Sequence, residues 1–457
     1  MINQKTSGKT MGKTISIVLG IIIIVFQKSL PAQEIQQFSL EKAREYALEN
    51  NREVRRSLLE IDAASKQRWE VTASGFPQVE ISATYNKLVD IPTQLIPGEI
   101  FGGDPGSTIP VQFGRPHNAN YGISVSQLLF SGSYFVGVQA SKIFMQLSET
   151  GHEKTKLDIK ATVTKTYYLV LIAEENRDIL SESLKNVRQT QYEISEMYKE
   201  GFSERTDVTQ LQISVNELEN AVRQLDEQIE IAYNLLKLQM GIPLDREIAL
   251  TDQLPDFLNA VQVEERLKVA FNLYHNVTFR AISTQEELAR LSVAKEKTTF
   301  LPTLAAFGSM QRDAQRDEFN FFDTDEDWYP TTVVGVQMNW PLFSGGAKMF
   351  KLQKARIELK QARLQKMEVE EGLRLQYDRV KSKIRSAQDQ FGNAKSNREL
   401  SREVYNITKE KFSEGLVSSL ELTQAHNQYL ASERAYLEAV NALLNADTDL
   451  KKILEIL

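Results

Sequence analysis

Three stretches of the chain alternate apolar and polar residues with a period of two. In the first, Val79, Ile81, Ala83, Tyr85 and Val89 fall on one side, interrupted by Lys87, while Glu80, Ser82, Thr84 and Asn86 fall on the other. In the second, Tyr121, Ile123 and Val125 oppose Gly122, Ser124 and Ser126. In the third, Val334, Val336, Met338 and Trp340 oppose Val333, Gly335, Gln337 and Asn339. This period predicts strands with one apolar and one polar face, at about 79–89, 119–130 and 331–343, with a less regular fourth strand at about 303–312. Their lengths suit the roughly 9–11 residues that a tilted strand needs to cross a bilayer. Tyr85, Phe130, Trp340 and Phe343 lie where an interfacial aromatic girdle would sit.

Elsewhere the period is helical. Val208, Leu211, Val215, Leu218, Val222, Leu225, Ile229, Ala232 and Leu236 alternate spacings of three and four, a heptad seam that demands a neighbouring helix. About 214 residues later the same register gives Leu422, Ala425, Tyr429, Ser432, Tyr436, Ala439, Leu443, Ala446 and Leu450, a seam with smaller residues. The duplication extends along the chain. Leu129-Phe130-Ser131-Gly132 returns as Leu342-Phe343-Ser344-Gly345, and Tyr198-Lys199-Glu200-Gly201 as Phe412-Ser413-Glu414-Gly415. Phe76-Pro77 matches Leu301-Pro302. Two repeats follow, 38–250 and 262–457, joined by a linker at 251–261. Each repeat predicts a first helix (39–74 or 262–299) ended by Pro77 or Pro302, a strand pair, a very long helix (133–200 or 346–413), a glycine turn and a last helix (205–241 or 419–456). Each long helix would extend about 100 Å at about 1.5 Å per residue.

Composition narrows the function classes. Of 457 residues, 25% are charged and 42% hydrophobic, with a net charge of −7 and no basic tract, which gives no electrostatic case for nucleic acid. Residues 1–32 read as a secretory signal: Lys5, Lys9 and Lys13 precede the apolar run Ile15 to Phe26, and Leu30-Pro31-Ala32 offers cleavage after Ala32. Cysteine is absent, so an exported fold would rest on packing alone. His117, His152, His275 and His426 lack metal-ligand spacing, and no nucleophile elbow or phosphate loop occurs; neither catalysis, a cofactor nor a metal is expected. Asp323, Asp325, Glu326 and Asp327 read as a solvated loop.

Four strands cannot close a barrel, and an open edge in lipid would leave backbone groups unpaired. The barrel must therefore be shared between two, three or four chains. The competing reading is a periplasmic coiled-coil scaffold or adaptor with small soluble sheets.

In its duplicated order, its paired Leu-Phe-Ser-Gly segments and its two aromatic-x-x-Gly turns, the chain resembles the TolC family of outer-membrane efflux proteins over about 38–457. The resemblance implies a mainly α protein with membrane β-hairpins, a homotrimer with a shared 12-stranded barrel, and a periplasmic α-helical barrel. It implies a Gram-negative outer-membrane channel for efflux or type I secretion. Its partners would be a periplasmic adaptor, an inner-membrane transporter and outer-membrane lipid. It places a gate near the helix turns: Phe412 at an aromatic position, Glu421 at an acidic one and Gln424 where a second acid is common, with Tyr198 and Asp207 at the matching first turn. Val417 replaces a basic residue of the family pattern. Gly201 and Gly415 mark the turns where an adaptor would dock. Read from the residues alone, Ser418-x-x-Glu421 is a capping-box pattern, and Asp207 suits the positive end of a helix.

Overall fold

The computed structural model describes residues 35–457; the proposed signal at 1–32 lies outside the described residues. The chain runs β1 (Gln36–Phe38), α1 (Leu40–Asn50), α2 (Arg52–Ala73), β2 (Gln78–Lys87), β3 (Thr93–Pro97), β4 (Thr108–Gln112), β5 (His117–Phe130), α3 (Gly132–Lys199) and α4 (Arg205–Met240). It continues through β6 (Ile248–Leu250), α5 (Leu254–Ala260), α6 (Val263–Leu267), α7 (Val277–Thr298), β7 (Thr303–Arg316), β8 (Tyr329–Asn339), α8 (Ala347–Ser413) and α9 (Ser419–Ile453). Two compact units form, one from residues 35–55, 156–270 and 379–457, the other from 56–155 and 271–378.

The first unit is helical. Its main core gathers Phe38, Val163, Tyr167, Leu236, Met240 and Leu444, all nearly inaccessible. The parallel pair β1–β6 closes one side of this core, and Asp252 fixes it by accepting from the Leu40 N–H (2.7 Å) and the Tyr167 hydroxyl (3.1 Å). A second apolar cluster (Leu184, Val187, Ile194, Leu211, Val215, Leu218) joins the end of α3 to the start of α4. The α4 heptad thus packs as its period requires. Its counterpart in α9 is wider than a heptad. Leu422, Ala439, Leu443, Ala446 and Leu450 are buried, but so are His426, Glu433, Leu437, Val440 and Leu444. Contacts on two sides of this helix bury more than one stripe.

The second unit carries a four-stranded antiparallel sheet in the order β2-β5-β7-β8, together with a β3–β4 ribbon. The irregular fourth strand runs four residues beyond its expected end, to Arg316. A register shift between Leu128 and Phe130 turns Phe130 onto the face that carries Leu304. On the helical side of this unit, Leu273, Phe279, Ile282 and Leu373 form a small core.

The first helix of each repeat is not continuous. The run expected over 39–74 breaks at Asn51, whose extended backbone (ψ 133°) lets its Oδ1 accept from the N–H groups of Glu53 (2.7 Å) and Val54 (3.2 Å) and restart the helix. The run expected over 262–299 breaks likewise: Asn276 Oδ1 accepts from Thr278 (3.0 Å) and Phe279 (3.3 Å). The asparagines win because each satisfies amide donors that a helix start leaves unpaired. The stretch 251–261 between the repeats carries α5.

Gly241 closes α4 with φ +80°, and a Cβ there would lie 2.3 Å from the Asn50 carbonyl oxygen. Both the left-handed backbone and the close approach require glycine. Gly241→Ala is expected to destabilise this unit by about 1–3 kcal/mol through backbone strain alone, seen as a lower apparent melting temperature of the detergent-solubilised protein; an unchanged value would show that the junction relaxes freely.

Candidate functional site

The α3–α4 and α8–α9 turns are built alike. Each long helix ends on a left-handed glycine, Gly201 (φ +82°) and Gly415 (φ +72°), with open space where a Cβ would stand. Past each glycine the next amide closes a six-residue ring: Phe202 N–H donates to the Met197 carbonyl at 2.8 Å, and Leu416 N–H to the Lys411 carbonyl at 2.9 Å. In this motif the apolar residue after the glycine commonly packs back on its own helix. Here Phe202 is 79% and Leu416 68% exposed, so both turn tips present uncovered apolar side chains.

Behind the tips, one carboxylate ties the two turns together. Asp207 Oδ2 accepts from the Ser203 hydroxyl (3.1 Å) and the Glu204 N–H (3.1 Å), while Oδ1 accepts from the hydroxyl of Ser419, the buried first residue of α9. The Ser419 hydroxyl, followed by the Glu204 amide and the Ser203 hydroxyl, holds the Asp207 carboxyl below its ordinary range against a smaller opposing effect of burial. Asp207 is therefore both a helix-start acid and a tie between repeats.

The other expected gate residues separate into two groups. Phe412 is half-buried against the α3–α4 apolar cluster, whereas its repeat partner Tyr198 is 44% exposed. Glu421 and Gln424 are both exposed, one helical turn apart on α9. With Val417 and Lys411 they line a groove of about 1290 Å³ between α8 and α9, whose wall mixes polar (Asn393, Asn397, Gln428) and apolar (Leu400, Val404, Ala435) side chains. Ser418 Oγ accepts from the Glu421 N–H at 3.3 Å and starts α9, and its hydroxyl lies 3.4 Å from the Glu421 carboxylate. Glu421 is exposed and lines the groove while its carboxylate accepts from the Ser418 hydroxyl.

Sequence reasoning missed Ser419 and His426. His426 is 4% exposed, its Nε2 lies 2.5 Å from Ser183 Oγ, and its ring packs 5.1 Å from that of Tyr405. Burial, with a smaller contribution from Lys409, pushes its pKa down to about 4, so it is neutral in this packing.

In the second unit, register defines the two faces of the sheet. Val79, Val125, Gly308 and Val334 form one row; Ile81, Ile123, Met310 and Thr332 form the next on the same face. The opposite face carries the rows Ser82, Gly122, Gln311, Thr331 and Thr84, Asn120, Asp313, Tyr329. The apolar face is bare: Ile81 is 79% and Val334 80% exposed. The outer edges of β2 and β8 have no strand partner among the described residues. Among those residues, no helix is long and apolar enough to cross a membrane.

A sequence model of the outer membrane efflux protein family matches residues 43–241 and 273–454. The chain belongs to that family. The protease secretion protein AprF of Pseudomonas aeruginosa is 23% identical over 228 residues, 49% of this chain and 46% of that protein. PrtF of Dickeya chrysanthemi, also a proteases secretion protein, is 22% identical over 209 residues, 45% of this chain and 44% of that protein. The chain thus spans about half the length of these curated relatives. The fold matches that of CusC, whose structures concern transmembrane channel formation, with a TM-score of 0.74 at 16% identity over 91% of this chain and 92% of that one. It also matches the outer membrane protein VceC of Vibrio cholerae, with a TM-score of 0.70 at 16% identity over 91% of this chain and 95% of that one. The duplicated, mainly helical architecture is that of this family. The family and these structural neighbours are channel proteins.

The Asp207 tie has a definite pH sign. A carboxyl depressed in the folded state contributes stability that is present above its unfolded value of about 3.9 and is lost as pH falls through the lower folded value. Asp207→Asn is expected to melt at a lower temperature than the parent at pH 7, and to lose less further stability between about pH 4 and pH 2. Parallel melting profiles across that range would show that the carboxylate is not the tie.

Proposed function

We propose that this chain is one protomer of an outer-membrane duct in a Gram-negative efflux or type I secretion system. It passively exports cargo handed over by an inner-membrane transporter and a periplasmic adaptor. The single observation that carries this reading is the four-stranded sheet, with its bare apolar face, its polar opposite face and its two unpaired edges. Lipid satisfies the apolar face, and neighbouring copies satisfy the edges. Three copies supply the 12 strands of a closed barrel with the polar face inward. The stripe Phe350 (66% exposed), Ile357 (57%) and Leu364 (62%) on α8 repeats every seven residues and supports helix packing against another copy. The names of AprF and PrtF, which concern protease secretion, favour the same role.

In this reading the repeats 38–250 and 262–457, joined at 251–261, each contribute one hairpin and one helix pair. The groove bearing Glu421 and Gln424 faces the lumen. Asp207 and Phe412 hold the turns closed from behind, and Tyr198 lies on the outer side of its turn. The tips at Gly201-Phe202 and Gly415-Leu416 receive the adaptor. A soluble periplasmic scaffold would leave the apolar face of the sheet in water, which disfavours it.

Reconstitution in planar bilayers tests the duct. The protein is expected to conduct with a preference for cations. Glu421→Gln is expected to lower that preference roughly fivefold, the equivalent of about 1 kcal/mol for a charge pair in water at 4 Å. Unchanged selectivity would remove Glu421 from the constriction. Absence of conductance, with the mature protein in the soluble periplasmic fraction, would favour the scaffold.

A further inference from the structure

The apolar face of the sheet is interrupted by two arginines, Arg312 and Arg316. The row after Ile81, Ile123, Met310 and Thr332 is Ala83, Tyr121, Arg312 and Pro330, so register places Arg312 on the same face as the bare valines and isoleucines. Arg312 is exposed, and no carboxylate among the described residues pairs with it. Lys87, two rows beyond on the same face, is likewise exposed, whereas two nearby arginines differ. Arg316 is 5% exposed and binds Glu326 at 2.6 Å and the Asp327 carbonyl at 2.9 Å, while Arg115 reaches Asp317 at 3.2 Å. The strands flanking β7 are β5 and β8 of the same chain, and the residues they set beside Arg312 are Tyr121 and Pro330. A neighbouring copy joined at a sheet edge would not lie next to it.

Depth decides what Arg312 can meet. Ten residues of extended strand separate it from the level of Trp340. At about 3.3 Å per residue and a tilt of about 40°, that is a rise of about 25 Å, the height of the apolar band of a membrane barrel. Trp340, whose indole donates to the Phe300 carbonyl at 3.1 Å, marks one border of the band. Tyr121, in the row of Arg312, and Trp328, its ring centroid 4.8 Å away, mark the other. An unpaired guanidinium is unfavourable within hydrocarbon, but at this border it is level with lipid headgroups.

Resting on the duct reading, we infer that Arg312 is a lipid-binding residue: it grips the phosphate of an anionic outer-leaflet lipid whose chains lie on the valine and isoleucine rows below. A planar guanidinium suits a phosphate through two parallel N–H···O bonds, and the bare rows suit acyl chains. The three copies of the assembly would carry three equivalent sites.

The test uses the delipidated, detergent-solubilised oligomer, with phosphatidylglycerol as the probe and phosphatidylcholine as the control. Lipid retention is read by native mass spectrometry. Arg312→Gln is expected to lower phosphatidylglycerol affinity roughly tenfold, the usual scale for losing a charge-assisted hydrogen bond, without changing phosphatidylcholine retention. Arg312→Lys is expected to restore part of it. Equal phosphatidylglycerol affinity in parent and Arg312→Gln would overturn the inference, as would displacement of the lipid by millimolar inorganic phosphate, which would mark a free-anion site. Heat-stable oligomers and bilayer conductance are measured in the same preparations. Their retention leaves the duct standing when lipid binding fails, and their absence in the parent would remove both.

Discussion

Two demands on the four-stranded sheet conflict within a single copy. Its apolar face, with Ile81 and Val334 about four-fifths exposed, is unfavourable in water. The free edges of β2 and β8 are unfavourable in lipid, where each unpaired N–H or carbonyl costs several kcal/mol. Edge-to-edge closure with further copies satisfies both demands. The remaining features of the sheet follow from this. In the proposed barrel, the polar rows through Gln311 and Asn120 line a wet interior. The register shift at Phe130 keeps the apolar band continuous to its lower border. The aromatic side chains gather at the two borders of the band.

In the proposed duct, closure of the barrel also bears on the helical part. Strands contributed in pairs require helices contributed in pairs, which is what the duplication supplies. The repeats are not equivalent at their turns, however. The acid of the first repeat, Asp207, is consumed by three internal donors and binds the start of α9. The acid at the same place in the second repeat, Glu421, lies exposed on the α8–α9 groove. One turn holds and the other presents charge, a division of labour that divergence after duplication readily produces. The aromatic pair diverges in the same way: Phe412 packs inward and Tyr198 is left on the surface.

The strands and long helices were legible because their periods are long and uniform; the helix ends fall within a few residues of the proline and glycine signals. The breaks at Asn51 and Asn276 were not legible, because asparagine is tolerated inside a helix and only the recapture of the following amides shows it acting as a cap. The last residues of β7 were missed because Arg312 and Arg316 interrupt the apolar alternation, the first exposed and the second buried against Glu326. Ser419 carries no local signal of its role: its partner lies 212 residues away. His426 falls outside the heptad register, and α9 buries it only because that helix packs on two sides.

The most direct test of the account is whether β2 of one copy lies against β8 of the next. The chain has no cysteine, so single cysteines placed along β2 and along β8 report only on each other. Oxidation of outer membranes carrying one cysteine in each strand, scanned through neighbouring registers, is expected to give covalent dimers and trimers at matching positions and nothing larger. A scan that yields only monomers, or cross-links that extend without limit, would contradict a closed barrel shared by three chains.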